Sequence, residues 1–151
     1  MINSMEISSK TCALSFKNEN MSSFLEGTEE YNVEMPLQEL INYNCEYYGS
    51  SFEGRVKGAQ QSLGMKYKLP IIIEESREIV FFPTKAYNSD NCSWIALNNI
   101  AKYEKSKNST IVTFNSGIKR EYKISIESFE NQMLRATKLL LNLKNRKLEL
   151  N

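Results

Sequence analysis

The segment PIIIEESREIVFFP, residues 70–83, constrains the fold more than any other part of the chain. Two runs, III and IVFF, are apolar at every position around a charged EESRE turn, with a proline at each outer end. A strand wet on one face alternates apolar and polar residues, because successive side chains point to opposite sides. Runs without that alternation belong to strands buried on both faces.

The closing segment SIESFENQMLRATKLLLNLKNRKLEL is the clearest helix. Ser125 can cap it, and Glu127 and Glu130 suit its positive N-terminal end. Lys144, Arg146 and Lys147 suit its negative C-terminal end. Ile126, Phe129, Met133, Ala136, Leu140 and Leu143 form one stripe that would pack on the sheet. Leu134, Leu141 and Leu148 form a second, spaced by seven. A helix apolar on two stripes is deeply buried or shared with a partner. Its place at the end of a small domain favours a subunit interface, so these three leucines are the dimerisation candidates.

Around these anchors the rest reads as follows. TCALSF, SSFLEG and YNVEM are short strands separated by the polar turn KNEN. Pro36 suits the first helical position, and Leu37, Leu40, Ile41 and Cys45 follow at helical spacing up to Gly49. A second helix runs over residues 52–63, with Gly64 as its stop. After the two apolar runs, TKAYNSDNCS is a polar loop. WIAL opens a strand that continues through NNIAKYE, KSKN leads to STIVTFN, and NSG turns into IKREYKI. There Lys119, Glu121 and Lys123 alternate with Ile118, Arg120, Tyr122 and Ile124, which makes one face wholly charged. The expected fold class is α+β: a single domain over residues 1–151, mainly antiparallel sheet with two central helices and a long C-terminal helix.

Composition narrows the function. The chain has no histidine, which removes the commonest general base and the most versatile zinc ligand. No GxxxxGK[ST], GxGxxG or GxSxG string occurs, and the acids Glu74 and Glu75 look like a hairpin tip. Cys12, Cys45 and Cys92 are widely spaced and form no CxxC pair, so they read as reduced, buried thiols. No enzyme, metal site or cofactor is expected. No window approaches 18 consecutive apolar residues, and MINSMEISSK lacks a basic region followed by an apolar one. A cytoplasmic protein with no membrane segment is expected.

Charge is unevenly placed. Residues 1–53 hold Lys10 and Lys17 against nine acids, whereas residues 54–151 hold seventeen basic residues against nine acids. A local basic field attracts phosphate even in a chain of near-zero net charge. The acidic third could mask a basic face, orient DNA by repulsion, or meet a second subunit. The run CEYYGSSFEGRVKG, residues 45–58, opens the basic part. Gly49 reads as a helix stop and the serines after it as a helix start. Gly54 and Gly58 then lie one turn apart, each costing about 1 kcal/mol relative to alanine. Two glycines on one face imply a close approach to the backbone, and helix packing with solvated charges is the alternative. Three segments contribute to the basic surface: the glycine helix with Arg55, Lys57, Gln60 and Gln61; GMKYKL with Lys66, Tyr67 and Lys68; and the late hairpin with Lys105, Lys107, Lys119, Arg120 and Lys123. If a polyanion such as DNA binds here, which composition alone does not show, the candidates are Arg55, Lys57, Gln60, Gln61, Lys66, Lys68, Lys119 and Arg120, led by Arg55 and Lys57.

The glycine run, PLQ before it, the FPT that closes the apolar strands, NCSWI, VTFNSG and SFENQMLRA together resemble the competence transcription factor family (ComK). The resemblance covers roughly residues 35–138, and residues 1–28 match poorly. It implies a transcriptional activator of DNA-uptake genes that recognises paired AT-rich boxes mainly through the minor groove, as dimers assembling into tetramers. The implied partners are double-stranded AT-rich DNA, the chain itself and RNA polymerase, and the implied place is the nucleoid. The chain ends soon after the last helix, so control through the proteolytic tail of longer family members is not expected. Two other readings stand beside this one. The leucine-rich helix could serve a protein-interaction module. Tyr43, Tyr47, Tyr48, Tyr67 and Tyr103 could stack RNA bases.

Overall fold

Residues 4–149 are described by the computed structural model, and they follow the expected order of elements. Residues 1–3 and the expected end of the last helix at Leu150 lie outside them. Three strands come first: β1 (Thr11–Asn18), β2 (Met21–Glu26) and β3 (Glu29–Val33). Helices α1 (Leu37–Tyr47) and α2 (Phe52–Leu63) follow. Then come β4 (Ile71–Glu74), β5 (Ile79–Pro83), β6 (Ser93–Ala96), β7 (Ile100–Ser106), β8 (Ser109–Phe114) and β9 (Lys119–Tyr122). Helix α3 (Ile126–Glu149) closes the chain. Pro36 stands one position before the expected one: it precedes α1 with extended ψ, and its carbonyl accepts from Leu40 N–H at 2.9 Å.

The strands form two antiparallel sheets. One has six strands in the order β3-β2-β1-β6-β5-β4, the other three in the order β7-β8-β9. The two apolar runs supply β4 and β5, and residues 71–73 and 79–82 are all buried. Alternation sorts them into two cores. Ile71, Ile73, Ile79, Phe81 and Trp94 face α1 through Leu37, Leu40, Ile41 and Cys45. Ile72, Val80, Phe82 and Ile95 face α3 and the small sheet through Phe129, Ala136, Leu139, Val112 and Phe114. Helix α2 packs beside the edge strand β4 and touches α1 and α3.

The strand expected to run unbroken from WIAL through NNIAKYE is interrupted. A 3₁₀ turn, Leu97–Asn99, carries the chain from the large sheet to the small one. Buried Asn99 holds the break: its Nδ2 donates to the carbonyls of Ser9 (2.9 Å) and Thr11 (2.7 Å), and its own carbonyl accepts from Asn115 N–H (2.8 Å). A buried polar side chain needs such partners, and here they come from across the fold.

All three cysteines are free and buried. Burial pushes the Cys45 thiol up to about 12 and the Cys92 thiol up to about 11. Among the described residues no helix is long and apolar enough to cross a membrane.

Phe129 ties α3 to the sheet, with its ring 5.5 Å from Phe82 and 5.1 Å from Tyr103, and no exposed surface. Phe129→Ala should therefore lower stability by about 3–5 kcal/mol. Urea unfolding checks it, with the midpoint falling at an unchanged slope. A change under about 1 kcal/mol would mean that α3 does not sit on the sheet through this ring.

Candidate nucleic-acid interface

Helix α2 is delimited as its local sequence requires. Ser51 Oγ accepts from Gly54 N–H at 3.0 Å, and Gly64 ends the helix in the left-handed region at φ +67°. Gly54 and Gly58 face outward. A Cβ added at Gly58 would meet nothing within 4 Å, and one at Gly54 would meet only Ser51 Oγ (3.1 Å) and Ser50 Oγ (3.3 Å). No described residue uses the close approach that the two glycines allow. Their face instead opens on a cleft of about 160 Å³, lined among others by Arg55, Ser62, Glu75, Leu139, Leu143 and Arg146.

Arg55 points into that cleft and is occupied. Its Nη1 lies 3.1 Å from Glu75 Oε1, only 17% of the side chain is exposed, and its buried Nε has no acceptor among the described residues. Lys147 approaches the other Glu75 oxygen at 3.5 Å, and Lys144 meets Glu78 at 2.7 Å. The acidic β4–β5 tip thus holds cations of both α2 and α3. Lys57 pairs with Glu53 one turn back at 3.1 Å, in the open. An exposed pair of this kind is worth only about 0.3–0.5 kcal/mol, so Lys57 can exchange partners. Gln60 is half-buried and Gln61 exposed in the last turn of α2.

Lys119 and Arg120, both DNA candidates, take opposite faces of β9. Arg120 turns inward and grips Glu30 of β3 at 2.8 Å. Partial burial pushes the Glu30 carboxyl up, but the Ser23 hydroxyl, which donates to it at 2.7 Å, and the Arg120 guanidinium outweigh that. The net direction for Glu30 is below the usual carboxylate range. Lys119 remains outside. Register places Lys102 and Lys119 on either side of Thr113, and Glu104 and Glu121 on either side of Ile111. The outer face of the small sheet therefore alternates rows of positive and negative charge.

The segment after α2 is different. Lys66 is exposed, and Lys68 adopts a left-handed backbone at φ +52°. The backbone here is pinned to α3. Gln132 Nε2 donates to the carbonyls of Lys68 (3.0 Å) and Pro83 (2.7 Å), and Arg135 reaches the carbonyl of Tyr67 at 3.5 Å. Tyr87 Oη accepts from Leu69 N–H (3.0 Å) and donates to Leu69 O (2.8 Å). Two shallow grooves meet here. One is lined by Tyr67, Lys68, Ser128, Asn131, Gln132 and Arg135, the other by Leu63, Met65, Asn131, Leu134, Arg135 and Lys138. Among the described residues neither lining contains a carboxylate, although Asn131 and Leu134 also border a cleft that holds Glu127 and Glu130. Arg135 and Lys138 escaped the sequence reading, although their spacing of three on a helix beside the second leucine stripe marks them.

Residues 2–148 match the ComK protein family, a span that takes in nearly all of the chain. The chain belongs to the ComK family. It is similar to the competence transcription factor of Bacillus subtilis (strain 168), with 30% identity over 126 residues, which is 83% of this chain and 66% of that protein. The match thus spans just under two thirds of the relative's length. No solved structure matches.

Several ComK-like blocks named above have a structural account. Trp94 and Phe129 are wholly buried, and Trp94 stacks on Tyr87 with ring centres 5.2 Å apart. Gly49 takes φ +91°, a conformation open to glycine. The two stripes of α3 separate as expected. The first is buried or half-buried, whereas Leu134, Leu141 and Leu148 are 68%, 52% and 70% exposed. Of the five tyrosines, Tyr43, Tyr48 and Tyr103 use their hydroxyls within the chain, on Glu6, the Ile7 carbonyl and Glu130.

The two glycines separate cleanly by experiment. Gly58→Ala should raise stability by about 1 kcal/mol, since a methyl there meets nothing and improves helix propensity. Gly54→Ala should gain less, because its methyl presses on the Ser51 hydroxyl that caps the helix. Paired urea melts decide it; an equal gain at both positions would mean that the cap yields without loss.

Proposed function

We propose that this ComK-family chain is a DNA-binding transcription factor of competence genes, recognising paired AT-rich boxes mainly from the minor groove. Family membership over residues 2–148 carries the reading, and the relative's name, competence transcription factor, gives its direction. The two grooves around residues 64–68, whose linings among the described residues hold Lys68, Arg135 and Lys138 and no carboxylate, support it, because lysines and arginines draw phosphate regardless of sequence. Asparagine and glutamine side chains can distinguish A·T from G·C in the minor groove. Asn131 lines both grooves, and Gln61 is exposed one turn before the loop. In this reading Lys66, Lys68, Lys57, Arg135 and Lys138 meet the backbone, and Lys119 adds to the field. Arg55 and Arg120 stay on their carboxylates and position α2 and β9. Transcription activation then proceeds through contact with RNA polymerase on the nucleoid, in the cytoplasm.

Fluorescence anisotropy tests this with a duplex of paired A/T tracts, a GC duplex and single-stranded RNA. The A/T duplex should bind tightest, and its affinity should fall with a log–log salt slope of about −0.9 per phosphate neutralised. Equal affinity for A/T and GC duplexes at physiological salt would remove the sequence-specific part of the proposal.

A paired box calls for two copies of the reading surface, which two-fold symmetry supplies through one self-complementary interface. The exposure of Leu134, Leu141 and Leu148 supports placing that interface on α3, and the same stripe is what a protein-interaction module would use. Leu141→Glu should dissociate the dimer, because an unpaired carboxylate at an apolar interface is strongly unfavourable. Sedimentation reads the outcome. A folded variant that stays dimeric would place the interface elsewhere.

A further inference from the structure

Tyr67 is the most exposed large hydrophobic side chain among the described residues, at 80%, and its hydroxyl makes no hydrogen bond there. A single exposed ring is ordinary by itself. Here the backbone beneath it is fixed while the ring is free. The carbonyls of Tyr67 and Lys68 are taken by Arg135 and Gln132, and Leu69 is clasped by Tyr87. Lys68 holds a left-handed backbone that a residue with a Cβ seldom adopts. Strain of this kind persists only where the surroundings enforce it, and it recurs at binding sites. Ordering the loop in advance lowers the entropy that a partner must overcome.

Charge decides the partner. Lys66 and Lys68 flank the ring, and Arg135 and Lys138 line the grooves next to it. None of the four takes part in an ion pair among the described residues, whereas Arg55, Lys57 and Arg120 all do. The other clefts on this side of the chain carry Glu75, or Glu127 and Glu130. A second copy docked on the loop itself across a two-fold axis would set Lys66 and Lys68 against their own counterparts. A polyanion with apolar rings inside it, such as a nucleic-acid duplex, satisfies both the cations and the ring.

Resting on the reading that the chain binds AT-rich duplex DNA, we propose that Tyr67 is its inserting side chain. The ring enters the groove and stacks on a base at a partly opened step, and Lys66, Lys68, Arg135 and Lys138 meet the flanking phosphates. Side chains inserted between base steps are a known device of minor-groove binders, and stacking tolerates any base because every base has a π-face.

The test uses the full chain and an AT-rich duplex carrying 2-aminopurine within one box, with anisotropy and emission read together. The parent and Tyr67→Phe should bind and change the emission as the ring replaces a neighbour in the base stack. Tyr67→Ala should lose that change and bind roughly 10- to 100-fold more weakly. Its salt slope should be unchanged, since no phosphate contact is removed. Tyr67 is exposed, so the alanine variant has no reason to unfold. An alanine variant with parental affinity and emission overturns the proposal. So does one that sediments as a smaller species without DNA, which would make the loop an interface between copies, or one impaired only toward single-stranded RNA. A parent that binds no A/T duplex overturns the functional reading itself, and the parental titration alone shows it.

Discussion

The six-stranded sheet has no face to give to water in its β4–β5 half, and the rest of the fold is arranged around that. Residues 71–73 and 79–82 are buried whichever way they point. Fully burying such a side chain is worth about 1.5–3 kcal/mol relative to leaving it wet. Two coverings are therefore needed. One is α1, which meets Ile71, Ile73, Ile79 and Phe81. The other is α3 with the small sheet, which meets Ile72, Val80 and Phe82. Helix α2 lies at the β4 edge, where it shields a strand that would otherwise offer unpaired backbone groups.

The turn between those two strands sets the electrostatics. Its carboxylates sit where α2 passes and α3 ends, and they collect cations from both. Glu75 holds Arg55 and Lys147, and Glu78 holds Lys144. Across the molecule, Glu30 holds Arg120. Each pair binds two elements together and withdraws a cation from the surface. Among the described residues the cations these pairings leave over include Lys66, Lys68, Arg135 and Lys138 around residues 64–68 and α3, and Lys102, Lys105, Lys107, Lys119 and Lys123 on and beside the small sheet.

A buried amide joins the sheet to the first of these groups. Gln132 is nearly inaccessible, and one Nε2 group bridges the carbonyls of Pro83, at the end of β5, and Lys68. The loop that carries Lys66, Lys68 and Tyr67 is thereby tied to the buried end of β5. A binding surface on a loop gains accuracy when the scaffold fixes its backbone.

Much of this architecture was legible in the chain alone, because it is encoded over one or two turns. Two apolar runs between prolines meant doubly buried strands, and a period of seven beside a full stripe meant leucines left outside the core. The spacing of Ser51 and Gly64 delimited α2, and alternation in IKREYKI put Lys119 and Arg120 on opposite faces. The ordered blocks that resemble ComK were also visible. The passage of the chain between two sheets was not, since it rests on Asn99 finding carbonyls near residue 10. Nor was the occupancy of two of the DNA candidates. Arg55 meets a carboxylate 20 positions away and Arg120 one 90 positions away. Composition counts cations, but only the folded contacts decide which of them already have a partner. Local sequence fixes periodicity and caps through bonds between near neighbours, whereas an ion pair depends on which distant segments the two cores bring together.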